Sequence, residues 1–369
     1  MPDSFPHIAI PTKEECLKRL ERHVTKEKIG LQDPFFKNRS DTFFKDRLEE
    51  FSKNAEKMVT SLIKVDGCRK AEIALDLSVL TLYDLAIFID DSPSMGKPEH
   101  KRILTNAMKE ICKIYSLAND NGIKAVRFLN HRQGKKDVKL GDVPVIMDRC
   151  AHTGLSRIGT ELHRRVLDSL VLKADMSKPL LVIIVTDGTV EGESGTLLPK
   201  VIINCIASLK NQTRSHQSVA FQFCRIGDDP ESIRFLLELD NHPKLGEHID
   251  CMSELFSLRN IPDSDVNGVP TTSHSVPGTS VPLSELSGSE SEDPDPNADP
   301  APDPAPDPKS NAPDPTKWLD ERWNVMCKLF LGPLMQHWDD YDDPMNENDL
   351  ANSDGLDILT KEKDFFEDD

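Results

Sequence analysis

Paired cysteines are missing from this 369-residue chain. Its eight cysteines, Cys16, Cys68, Cys112, Cys150, Cys205, Cys224, Cys251 and Cys327, form no CxxC pair, which excludes the usual zinc-knuckle spacings. Several lie inside apolar runs, where a free thiol acts as a small buried hydrophobe. No apolar run approaches the roughly 20 residues that span a bilayer. Met1 to Ile10 shows neither the basic nor the apolar region of a secretory signal. These absences point to a reduced, intracellular, cytoplasmic protein with no membrane contact, so the sequons at Asn38 and Asn211 carry no weight. Phosphate-cradling glycine patterns are missing, as is the Gly-x-Ser-x-Gly of serine hydrolases. Excess positive charge is absent too. Up to Pro262 there are 37 acids and 39 bases, and from Asp263 onward 26 acids and 6 bases. The net charge of −18 therefore belongs to the tail. With no basic stripe in the front part, nucleic acid is not an expected partner.

What is present falls into segments. Residues 1–80 read as a helical extension. Thr12 and Glu15 form a capping box, followed by an apolar face of Leu17, Leu20 and Val24. Phe44, Leu48, Phe51, Ala55, Met58 and Leu62 alternate steps of four and three, one buried stripe of an amphipathic helix. The stripe is too short for a sustained coiled coil, so packing on the neighbouring domain is expected.

Residues 81–261 alternate apolar runs with helical patterns. The runs are 85–89, 125–129, 180–185, 219–223 and, more weakly, 249–252. Helices are expected around 98–120, 158–172, 197–211 and 230–239. Continuous apolar strands are those buried on both faces. Their alternation with helices predicts an α/β fold, a doubly wound, mostly parallel, Rossmann-like sheet between helices. Lys135-Lys136 reads as a solvated loop. Residues 262–315 hold 13 of the 26 prolines and predict a disordered, partly polyproline linker. Residues 316–338 carry all three tryptophans, Trp318, Trp323 and Trp338, on an amphipathic pattern expected to dock back on the domain or on a partner. From residue 339 the chain reads as an acidic, disordered tail.

In such sheets ligands sit at the carboxyl ends of the strands. The first strand runs into Asp90-Asp91-Ser92-Pro93-Ser94, an Asp-x-Ser-x-Ser sequence of one carboxylate and two hydroxyls on a tight loop. Thr160 stands at a helix start, and Thr186-Asp187-Gly188 closes the third long strand. Hard oxygen donors of this kind suit Mg²⁺ or Mn²⁺. Taken alone, each piece has a plain structural explanation: Ser92 or Ser94 as a helix cap, Asp187-Gly188 as a turn, Asp91 as a solvated loop acid.

Taken together and in this order, Asp-x-Ser-x-Ser, the loop threonine and Thr-Asp-Gly resemble the metal-ion-dependent adhesion site of von Willebrand factor A-like domains, over about residues 70–260. Leu82-Tyr83-Asp84 and Arg127-Phe128-Leu129-Asn130 resemble the A-like domains of intracellular fungal proteins. The resemblance implies that Ser92, Ser94 and Thr160 coordinate the metal directly and that Asp90 and Asp187 act mainly through waters. It also implies an open coordination position that takes a carboxylate from a protein ligand. Arg157 and Ile158 depart from the family's usual turn before the threonine.

The expected function is thus metal-dependent protein binding, not catalysis. An aspartate phosphotransferase would want a second aspartate where Ser92 stands. The alternatives are an apolar-surface scaffold with a vestigial metal site and, further off, a Mg²⁺-dependent hydrolase. The charge division also suggests that an acid of the tail occupies the open position in cis.

Overall fold

In the computed structural model, residues 8–36, 41–252 and 315–341 are described. The apolar runs become the central strands of one six-stranded sheet: β1 (Asp84–Ile89), β2 (Ile123–Phe128), β3 (Lys135–Val138), β4 (Leu180–Thr186), β5 (Val219–Arg225) and β6 (Ile249–Met252). The order is β3-β2-β1-β4-β5-β6, and every pairing is parallel except β2 with β3. Each residue of β4 and β5 is buried, as expected for strands covered on both faces.

Helices flank the sheet: α1 (Lys13–Arg22), α2 (Asp41–Lys64), α3 (Ala71–Leu77), α4 (Pro98–Ala118), α5 (Val143–Asp148), α6 (Ile158–Leu162), α7 (Leu197–Asn211) and α8 (Pro230–Asp240). From His163 to Leu172 α6 continues as wider π turns. One core packs Phe88, Val182, Ile184, Phe221 and Phe223 against Leu162, Val166, Ile202, Leu209 and Leu236. The architecture is the mostly parallel, helix-flanked α/β fold that the alternation predicts.

Two elements were not expected. Lys135-Lys136 is not a solvated loop but part of β3, paired antiparallel with β2. A lysine-bearing edge strand has little apolar signal, because one of its sides faces no neighbour and charge there discourages further pairing. The short helix α5 is likewise too brief for periodicity to reveal.

The helical prefix forms as its pattern implies. Thr12 and Glu15 exchange both bonds of the capping box, at 2.8 and 3.3 Å. Leu48, Ala55, Met58 and Leu62 are fully buried and Phe51 nearly so, with α2 packed on α1 and α4. The prefix is joined to β1 by a buried polar contact: His23 Nε2 lies 2.8 Å from the Tyr83 hydroxyl, and its Nδ1 lies 2.8 Å from Glu27. Burial pushes the His23 imidazole down to about 4, against the pull of Glu27. Burial would raise the Glu27 carboxyl, but His23 and Arg19 outweigh it and bring it to about 2. Unfolded, His23 titrates near 6.5. Between those values the unfolded chain holds the extra proton, so stability falls as pH drops from about 6.5 toward 4, by about 3 kcal/mol. His23→Gln should flatten that limb in urea melts run across the pH range. An unchanged slope would show that His23 is not held neutral.

Of the described residues, those from 319 to 341 belong to the same compact unit as the sheet and its helices. Helix α9 (Pro315–Leu331) and the short α10 (Gln336–Asp339) bring Trp323, Met326, Phe330, Leu331 and Trp338 into the core, each at most 8% exposed. Arg322 pairs with Glu110, Lys328 with Asp250 at 2.7 Å, and Trp338 Nε1 donates to Asp76 at 3.0 Å. The tryptophan-bearing face therefore docks in cis. The Trp318 side chain, the stretch 262–314 expected as linker and the tail from 342 lie outside the described residues.

All eight cysteines are free thiols and all but Cys251 are buried; burial pushes those of Cys112, Cys150 and Cys205 up to about 12. Among the described residues no helix is long and apolar enough to cross a membrane.

Candidate metal centre

The sheet reverses its direction of winding between β1 and β4, and their carboxyl ends lie side by side. The backbone of Asp90 continues the β1–β4 ladder, its amide donating to the Val185 carbonyl at 2.8 Å. Asp90 and Thr186-Asp187 thus leave the sheet together. Asp90 Oδ1 accepts from the Ser92 amide at 2.9 Å, and Oδ2 accepts from the Thr186 hydroxyl at 2.8 Å. The Ser92 and Ser94 hydroxyls lie 3.0 Å apart.

Ser92 precedes a single 3-10 turn, and its side chain makes no capping bond; α4 begins after Lys97 without a side-chain cap either. The two serines therefore do not serve as helix caps, and their hydroxyls are turned toward each other beside a carboxylate. After Asp187 the chain must turn sharply. Gly188 has φ +80°, and a Cβ there would meet Ser232 at 2.7 Å, so only glycine suits this turn.

The electrostatics are those of two buried carboxylates in each other's field. Asp90 is 2% and Asp187 6% exposed. Burial pushes the Asp90 carboxyl up to about 6; the charge of Asp187 adds to this, while Ser92 and Thr186 oppose it. Such a pair is satisfied by protons or by a cation. Donors that are all hard oxygens favour an ion of the Mg²⁺ or Mn²⁺ kind, so these residues fit the ion that the motif implies.

Thr160 stands apart. It opens α6, and its hydroxyl donates to Glu193 Oε2 at 2.7 Å. The amides of Gly159 and Thr160 donate to the same carboxylate at 2.7 and 3.0 Å. Glu193, on the loop between β4 and α7, thus caps this helix start from outside and occupies the threonine's hydrogen-bonding position. Among the described residues no hydrogen bond links Thr160 to Asp90, Ser92 or Ser94.

Two further residues, Asp91 and His100, escaped the motif, and Thr186 within it gains a role. Asp91, read as a solvated loop acid, is fully buried. Its carboxylate accepts from the amides of Asn130 and His131 at 2.6 and 3.0 Å, and its carbonyl accepts from Thr153 at 3.0 Å. It ties the ends of β1 and β2 together and so holds the Ser92–Ser94 loop in place. His100, in the first turn of α4, is buried with an unpartnered Nδ1. Burial lowers its basicity, and the charge of Asp187 acts against that. Thr186 completes the grip on Asp90. None is separated from ordinary loop chemistry by spacing alone, although the adjacent pair Asp90-Asp91 did mark a place where one acid would need partners.

No family model matches the chain, and no curated protein matches it. Proximal thread matrix protein 1 from the mussel byssus is a solved structure similar to it at 15% identity and a TM-score of 0.30, over 48% of this chain and 45% of that one. The chain therefore spans less than half of that protein's length.

Proposed function

We propose that the carboxyl ends of β1 and β4 hold a divalent cation, Mg²⁺ or Mn²⁺, in an adhesion-type site of the von Willebrand factor A-like kind, and that the protein thereby binds an acidic side chain of a protein partner. The observation that carries this reading is the pair of buried carboxylates, Asp90 and Asp187, at adjacent strand ends beside two serine hydroxyls that bond to each other and cap no helix. Ser92 and Ser94 would coordinate directly, Asp90 and Asp187 through waters or directly, and Thr160 once Glu193 releases it. The ion supplies a positive charge with room for one more oxygen ligand. Two carboxylates and neutral hydroxyls leave it able to attract an outside carboxylate, which a more acidic donor set would not. The chain's own residues do the rest: Asp91 sets the loop, Gly188 the turn, and the sheet keeps the donors rigid. The reading is one of binding, not of catalysis.

An acid of the tail in the open position stays a proposal, and Glu193 is a carboxylate already at hand beside Thr160. It is the carboxylate an incoming ligand would have to displace from Thr160. The scaffold alternative is weakened by a specific observation: Trp323, Met326 and Phe330 are spent on the chain's own core.

The test is calorimetric titration of the full chain with Mn²⁺, then of the Mn²⁺-loaded chain with an acidic peptide. One saturable Mn²⁺ site is expected, and Glu193→Gln should tighten the peptide several-fold. A chain with no saturable Mn²⁺ site would refute the reading. Unchanged peptide affinity in Glu193→Gln would remove Glu193 from it.

A further inference from the structure

We infer that His216, Glu247 and His248 form a second metal site, one for a first-row transition ion such as Zn²⁺, at the opposite end of the sheet. The parallel register Phe221↔Ile249 sets the start of β6 beside the third residue of β5, and the Phe221 amide donates to the His248 carbonyl at 2.8 Å. His216 lies in the single 3-10 turn before β5, whose start is capped by Ser215. Glu247 and His248 lie immediately before β6. Residues some thirty positions apart in the chain are thereby brought together.

One ligand atom from each of the three lies within 4.8 Å of the other two. Glu247 Oε1 stands 3.3 Å from His216 Nδ1 and 3.0 Å from His248 Nε2. Donors sharing a tetrahedral ion at bond lengths of about 2.0–2.1 Å sit roughly 3.3 Å from one another. A second observation separates this cluster from a simple ion pair. His216 Nδ1 is buried and has no hydrogen-bond partner, although a carboxylate oxygen is 3.3 Å away. Donors to a common ion aim at the ion and not at each other, which leaves such a nitrogen out of line with its neighbour.

The two rings meet edge to face, 5.2 Å apart at 88°. His248 is 3% exposed. Burial pushes its imidazole down to about 4, against the pull of Glu247 and with the help of His216, Lys28 and Lys210. Neutral imidazole is the form that ligates. Two nitrogens and one carboxylate favour Zn²⁺-like ions over Mg²⁺, which wants oxygen alone.

One carboxylate leaves the ion with net positive charge and a fourth position free. That position can face solvent, because the Glu247 side chain is 58% exposed. Glu247 also lines a cleft of about 730 Å³ with Ile206, Lys210, His242 and Lys244, which gives room for a small anion or water as fourth ligand. The helical prefix is attached at the same place: Lys28 Nζ donates to the Glu247 carbonyl at 3.0 Å, and the Gly30 amide to Gln217 at 2.8 Å. An ion bound here would therefore fasten the prefix to the sheet, and binding to the folded state alone raises stability.

The full chain, titrated with Co²⁺, should develop the intense visible bands of a four-coordinate cobalt site with imidazole ligands, and Zn²⁺ should abolish them and raise the melting temperature. His216→Ala and Glu247→Ala, both at partly exposed side chains, should each lose the bands and the melting shift while melting normally without metal. The pair Ser92→Ala with Ser94→Ala should keep both, so failure here and failure of the adhesion-type site are told apart. Absence of the bands in the parent chain, or their survival in both His216→Ala and Glu247→Ala, would overturn the assignment.

Discussion

Trp323→Ala is expected to destabilise the protein by about 3–5 kcal/mol, the usual range for deleting a buried tryptophan. The residue is 1% exposed, and Met326, Cys327, Leu329, Phe330 and Leu331 around it on α9 are fully buried. Its ring also carries the Arg322 guanidinium at 4.7 Å from the centroid, and Arg322 in turn pairs with buried Glu110. Losing the ring leaves a cavity and loosens that pair. Against a total stability of about 5–15 kcal/mol, the variant should unfold at much lower urea. A midpoint equal to the parent's would mean that the Trp323 face of α9 is not packed into the core. A chain ended at residue 262 would fare worse, since it lacks the whole buried face. It would also leave buried Asp250 without Lys328, a loss of the kind that costs about 3–5 kcal/mol on its own. The expectation that an acid of the tail occupies the open position must therefore be tested by removing only residues after 341, with α9 and α10 kept.

Ser92→Ala combined with Ser94→Ala should abolish Mn²⁺ binding at the adhesion-type site, a loss of at least about 100-fold, the upper end of what loss of an outer-sphere partner costs. The pair is chosen because the two hydroxyls bond to each other. Removing both ends of one hydrogen bond leaves no orphaned polar atom, so the cost to folding is small. Asp90 keeps the Ser92 amide and the Thr186 hydroxyl. A double variant that melts like the parent yet binds Mn²⁺ equally well would show that the serines are loop residues only. Asp90→Asn would be a poorer choice, because it also relieves the repulsion between two buried carboxylates.

Much of the arrangement is legible along the chain. A strand buried on both faces is an unbroken apolar run, so residues 180–185 and 219–223 announce themselves. The 3.6-residue period does the same for α2, and the capping box at Thr12 and Glu15 for α1. Because a parallel sheet places ligands at its carboxyl ends, the position of Asp90, Ser92, Ser94 and Asp187 could be read before any coordinates. These are properties of short stretches, where neighbours in the chain are neighbours in space.

What only the tertiary structure decided are pairings between residues distant in sequence. The capture of Thr160 by Glu193 depends on how the loop after β4 lies over the start of α6. The burial of Asp91 depends on two amides at the end of β2, which turn a charge that would be solvated in an isolated loop into a clamp. The meeting of His216 with Glu247 and His248 follows from one parallel register. The docking of the Trp323 face follows from the fit of α9, since an amphipathic pattern states that a face must be covered and not by what. Local propensity and periodicity determined the elements and the end of the sheet that carries the motif; partners came from packing, which selects among surfaces that the linear order does not bring together.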